Sequence, residues 1–84
     1  MEYNVAARVK IYLDDPASMA EVKSGIEKLI KVQKFWEEDV GFGIKVLKAN
    51  LLITDSEGAM DELEGKLRGV KGVSEIEVEE VGRV

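Results

Sequence analysis

Neither cysteine nor histidine occurs among the 84 residues, and these two absences exclude more chemistry than any motif present supports. Thiol nucleophiles, Ser-His and Cys-His relays and zinc sites built on those ligands are all ruled out. Positive charge is also scarce. Twelve Lys and Arg against 17 Asp and Glu leave a net charge of -5, which disfavours docking on a phosphate backbone or an anionic membrane surface and favours a partner with basic patches. Long apolar runs are missing too: Val5-Ala6-Ala7 and Leu51-Leu52-Ile53 fall far short of the roughly 18 residues that cross a bilayer. The N-terminus shows strand-like alternation where a secretory signal would have a basic region and an apolar stretch. The expectation is a soluble, cytoplasmic protein with no membrane contact, folded as a single domain over residues 1–84.

What is present has clear periods. From Tyr3 to Leu13 the odd positions are apolar while Asn4, Arg8 and Lys10 occupy even ones, the period of a half-buried strand. After Asp14-Asp15-Pro16, Ser18 and Glu21 have the spacing of a capping box, so a helix is predicted from Met19. Met19, Val22, Ile26, Leu29 and Ile30 supply its apolar face, and Gly25 costs it about 1 kcal/mol relative to alanine. Val32 to Val40 is predicted as a short strand, although Phe35-Trp36 breaks its alternation. Gly41-Phe42-Gly43 reads as a tight connection, since glycines permit backbone angles that other residues resist.

Ile44 to Ile53 then reads as a strand with Leu47, Ala49, Leu51 and Ile53 on one face. Ala59, Met60, Leu63 and Leu67 mark a short second helix, with Gly69 at its C-cap. The last strand, about Gly72 to Val81, alternates apolar residues with Glu75, Glu77 and Glu79, the pattern of an edge strand guarded by charge. The order is β-α-β-β-α-β. It predicts an α+β, ferredoxin-like sandwich in which two helices cover one face of a four-stranded antiparallel sheet.

That fold is shared by enzymes, nucleic-acid-binding domains and ligand sensors, so the residues must choose among functions. Ser18, Ser24, Ser56 and Ser74 sit near caps, on a helix surface or in turns, where serine usually has a structural task. The acidic clusters Asp14-Asp15 and Glu37-Glu38-Asp39 lack the spacing of an EF-hand and read as solvated turns, so no metal or other cofactor is expected. The loop after the first strand carries acids where a phosphate cradle needs glycines and a cation. The sheet offers Arg8, Lys10, Lys48 and Asn50 with Tyr12 alone, not the aromatic platform that stacks RNA bases. Those cations are equally read as partners of Glu77 and Glu79 should the first and last strands pair. No catalytic residue is predicted. Phe42, between two glycines, is a candidate partner anchor, with a lid folded back on the core as the equal alternative. Val81-Gly82-Arg83-Val84 ends the chain on a basic residue, for which a frayed tail is the ordinary explanation.

Taken together, Val40-Gly41-Phe42-Gly43-Ile44-Lys45 with Leu47, then Asp55 and Gly58, then Leu63-Glu64, and finally Glu79-Glu80-Val81-Gly82-Arg83-Val84 resemble the archaeal elongation factor 1-beta family. The similarity covers essentially the whole chain and is densest from Gly41 onward. It implies a guanine-nucleotide exchange domain, not an enzyme, whose partner is elongation factor 1-alpha, the GTPase that delivers aminoacyl-tRNA to the ribosome. It further implies that Phe42, Lys45 and Arg83 contact that partner, with Arg83 at the penultimate position where eukaryotic relatives carry a lysine near the magnesium site of the GTPase. A planar guanidinium does not reproduce a compact ammonium, so equivalent insertion does not follow from position alone. The alternative left open is a regulatory ferredoxin-like module that senses a small ligand as a dimer; the exchange reading permits a monomer.

Overall fold

The computed structural model describes residues 3–84. The strands are β1 (Val5–Leu13), β2 (Lys31–Gly41), β3 (Ile44–Ile53) and β4 (Val73–Arg83); the helices are α1 (Met19–Leu29) and α2 (Ala59–Arg68), with a short 3-10 turn at Pro16–Ser18. All four strands form one antiparallel sheet in the order β2-β3-β1-β4, the ferredoxin-like arrangement. The alternation in β1 does what its period implies: Val5, Ala7, Val9 and Ile11 enter the core together with Leu47, Ala49 and Leu51 of β3. Val22 and Ile26 of α1 and Leu63 and Leu67 of α2 close that core from one side of the sheet.

Three local readings need correction. The Ser18-Glu21 capping box does not form. Ser18 is the N-cap of α1 but makes no side-chain cap bond; its hydroxyl donates to the Asp15 carbonyl at 2.6 Å, and Asp15 Oδ1 accepts from the Ala17 N–H at 2.9 Å, so the acid caps the 3-10 turn. The C-terminal segment is not frayed either, because Gly82 and Arg83 pair with Ala6 and Val5 in the β1–β4 ladder.

Gly25 is the third. A methyl group there would lie 2.9 Å from Val70 Cγ1, so the missing side chain lets α1 approach the segment after α2. Valine is stiff at χ1 and gives way poorly. Gly25→Ala is therefore expected to destabilise the domain by about 1–3 kcal/mol, the usual range for overpacking, despite alanine's better helix propensity. A denaturant melt showing a gain in stability would refute this.

The open face of the sheet is also more ordered than its alternation suggests. Lys48, on the nominally polar side of β3, is only 7% exposed. Its ammonium donates to Glu79 Oε1 at 2.6 Å and lies 3.4 Å from Glu38, so it ties β2, β3 and β4. The Glu79 hydrogen bond holds Lys48 above its ordinary value against the opposing effect of burial, and the same bond holds Glu79 below its own. Arg8 joins Glu79 at 3.8 Å and Glu80 at 2.8 Å, and Lys10 reaches Glu77 at 3.9 Å. One-residue slippage between Arg8 and Val9 in the β1–β4 register makes Glu79 the extra residue of a bulge, which lets both acids meet Arg8.

Candidate functional site

The three candidate contact residues occupy two ends of the sheet. β2 and β3 continue past the last β1–β3 pair, Ile11 with Leu47, as a two-stranded arm paired through Glu38–Val46, Asp39–Lys45 and Gly41–Ile44. Phe42 and Gly43 form its two-residue turn with φ of 56° and 73°. Positive values at both central positions are the mark of a type I′ hairpin, where Asn-Gly is preferred and a bulky residue first is disfavoured. Asp39 Oδ1 secures the turn by accepting from the Gly41 N–H at 2.8 Å.

Phe42 is fully exposed, and so it is not a lid on the core. Its ring gains nothing from burial while its backbone occupies a region unfavourable to it. Strain held at an exposed tip is uncompensated by any contact of the ring with the core. Lys45 stands beside it on the arm, opposite Asp39 and exposed.

Arg83 lies at the other end. Opposite Val5 in the ladder, it shares its edge of the sheet with Ile53. Ten residues of β3, at about 3.3 Å each, separate this edge from the hairpin by roughly 30 Å. The molecule's long axis is 38 Å, so the two candidates stand near its extremes. The Arg83 side chain is 70% exposed and paired with Asp55 of the β3–α2 loop. Beside it lies a surface depression of about 450 Å3 bordered by Ser56, Gly58, Asp61 and Gly82.

The acidic clusters have structural tasks: Asp15 and Asp39 cap turns, Glu37 meets Lys23 of α1 at 3.6 Å, and Glu38 supports Lys48. Trp36, which breaks the alternation of β2, lies under the Lys34 ammonium, 5.5 Å from its ring centroid. Sequence reasoning missed Asp55 as a partner of Arg83; the two are 28 residues apart, and only the return of β4 beside β1 brings them together.

Comparisons with known proteins bear on what this arrangement does. Elongation factor 1-beta of Aeropyrum pernix is 40% identical over 95% of this chain and 96% of its own, and that of Methanoculleus marisnigri 37% identical over 92% and 93%. Among solved structures, the ACT domain from the GTP pyrophosphokinase of Chlorobium tepidum superposes with a TM-score of 0.63 at 19% identity, over 90% of this chain and 99% of that domain. The C-terminal domain of the MgtC protein from Mycobacterium tuberculosis gives the same TM-score at 17% identity, over 100% and 92%. At such identities these two likenesses bear on the fold alone, and they agree with the ferredoxin-like topology. Residues 5–84 match the EF-1 guanine nucleotide exchange domain. With that match over nearly the whole chain, and with relatives of similar length, the chain belongs to the elongation factor 1-beta family and is a guanine-nucleotide exchange domain of translation elongation.

Proposed function

We propose that the domain promotes GDP release from elongation factor 1-alpha by bridging two regions of that GTPase, with Phe42 and Lys45 at one end and Arg83 at the other. The observation that carries this reading is the exposed, backbone-strained Phe42 standing roughly 30 Å from the exposed Arg83, on a sheet whose open-face cations Arg8, Lys10 and Lys48 are engaged by glutamates. The protein performs no covalent step. It must bind the nucleotide-free GTPase more tightly than the loaded one, and whatever factor it takes from nucleotide affinity, nucleotide takes from its own. A thousandfold effect corresponds to about 4 kcal/mol.

The aromatic end supplies affinity common to both states of the GTPase. Arg83 supplies the differential contribution, because a cation brought to the phosphate and magnesium site is favourable only as the metal departs. The domain acts in the cytoplasm and as a monomer. Both edge strands carry charges and register shifts that discourage edge-to-edge pairing, among them Lys31, Lys34 and Glu37 to Asp39 on β2. It does not bind nucleic acid directly, since Arg8, Lys10 and Lys48 are engaged by glutamates on the open face.

The test is release of fluorescent GDP from elongation factor 1-alpha, chased with excess GTP. Acceleration is expected at substoichiometric factor, because a catalyst of exchange dissociates when new nucleotide binds. An unchanged rate with the cognate GTPase would sink the reading and leave the fold intact.

A further inference from the structure

Arg83 is held in place by two residues that take no part in the core. Its guanidinium is ion-paired through Nη2 with Asp55 Oδ2. Asp55 is held in turn, its N–H donating to Asn4 Oδ1 at 2.7 Å. Asn4 also reaches the tail: its carbonyl accepts from the Val84 N–H at 3.1 Å, and its own N–H donates to the Ile53 carbonyl at 3.2 Å. Three distant stretches of chain therefore converge on one amide and one carboxylate, next to the residue with the clearest reason to meet a partner.

We propose that Asn4 and Asp55 are positioning residues for Arg83. Asn4 fixes the β3–α2 loop and the last backbone step, and Asp55 fixes the direction of the guanidinium, so that the cation reaches the GTPase already aimed. The inference rests on the exchange reading of Arg83. A long side chain near a chain end loses rotamer freedom when it docks, and ordering it beforehand removes part of that cost from the step in which it acts. The pair suits a handover. It is exposed on both sides, so it is weak, and phosphate oxygens can take the fork from one carboxylate without a large barrier. The backbone bonds to Asn4 remain in place as this happens.

The experiment is a release-rate titration on elongation factor 1-alpha with the full chain and its variants Asp55→Ala, Arg83→Ala, the double variant, Asn4→Ala and Asn4→Asp. Asp55→Ala is expected to lower the rate at saturating factor about two- to fivefold, the ratio that a weak exposed ion pair can supply. The factor concentration for half-maximal effect should stay the same, and the double variant should be no slower than Arg83→Ala. Asn4→Ala should behave like Asp55→Ala. Asn4→Asp keeps an acceptor oxygen for the Asp55 N–H and should recover most of the rate, which separates positioning from a general loss of folding.

An equal loss from Asp55→Ala in the Arg83→Ala background would overturn the proposal, because Asp55 would then act on the GTPase by itself. A faster rate would overturn it as well, making Asp55 a mask, and so would an unchanged one. In those three cases the wild-type chain still accelerates release and Arg83→Ala still impairs it. If either of those two fails, the exchange reading falls and takes this inference with it.

Discussion

Arg83→Ala is expected to lower the maximal rate of GDP release about tenfold to a hundredfold, the kinetic equivalent of losing one charge-assisted hydrogen bond worth roughly 1.5–3 kcal/mol. Binding to the nucleotide-free GTPase should persist, because the hairpin end is untouched. Stability should move by less than about 0.5 kcal/mol, since the side chain is 70% exposed and its backbone stays in the β1 ladder. Arg83→Lys separates two mechanisms. If charge near the metal is what matters, lysine retains most of the rate; if paired bonds from a planar fork matter, it behaves like alanine. Deleting Arg83 and Val84 is the coarser experiment, for it also removes the Val84 hydrogen bond to Asn4 and the last rung opposite Val5. Full activity of Arg83→Ala would make the tail a bystander and leave exchange to the arm.

Phe42→Ala is expected to weaken the complex by about 1–3 kcal/mol, the range for an aromatic anchor at an interface. A second substitution sharpens the test. Asparagine is favoured at the first central position of a type I′ turn, so Phe42→Asn should keep or raise the melting temperature while affinity falls as far as it does with alanine. Calorimetric titration against the nucleotide-free GTPase and a thermal melt read the two quantities separately. Retained affinity in either variant would show that the ring is dispensable and that the turn's backbone is the whole of its role.

Much of this architecture was legible in the sequence because one period ruled each element. β1 alternates cleanly and is paired on both sides, so its odd residues fill the core as expected. β2 resisted the same reading for a physical reason: register shifts beside Gln33 and Val40 interrupt the alternation, and Trp36 covers the open face instead of joining the core. Lys48 reads as polar surface because period two assigns a face but not its exposure; in the fold it is buried and paired with two glutamates from other strands. The penalty assigned to Gly25 from helix propensity alone lacked the neighbour that makes glycine necessary. Phe42 and Arg83 were visible as candidates. Their separation was not, since it depends on which end of a sheet each turn occupies.

That separation makes the domain a lever. Pivoting by about 10° at the aromatic tip sweeps the guanidinium through roughly 5 Å at the far end of a 30 Å radius, more than the whole tolerance of a hydrogen bond. Accuracy at one end thus demands rigidity in between, and a bare hairpin could not provide it, being marginal by itself in water. The Lys48, Arg8 and Lys10 pairs cross-brace the strands on one face while the helices brace the other. Softening that brace would leave both contact residues intact and still spoil the aim, so a domain of this shape can lose its activity through flexure alone.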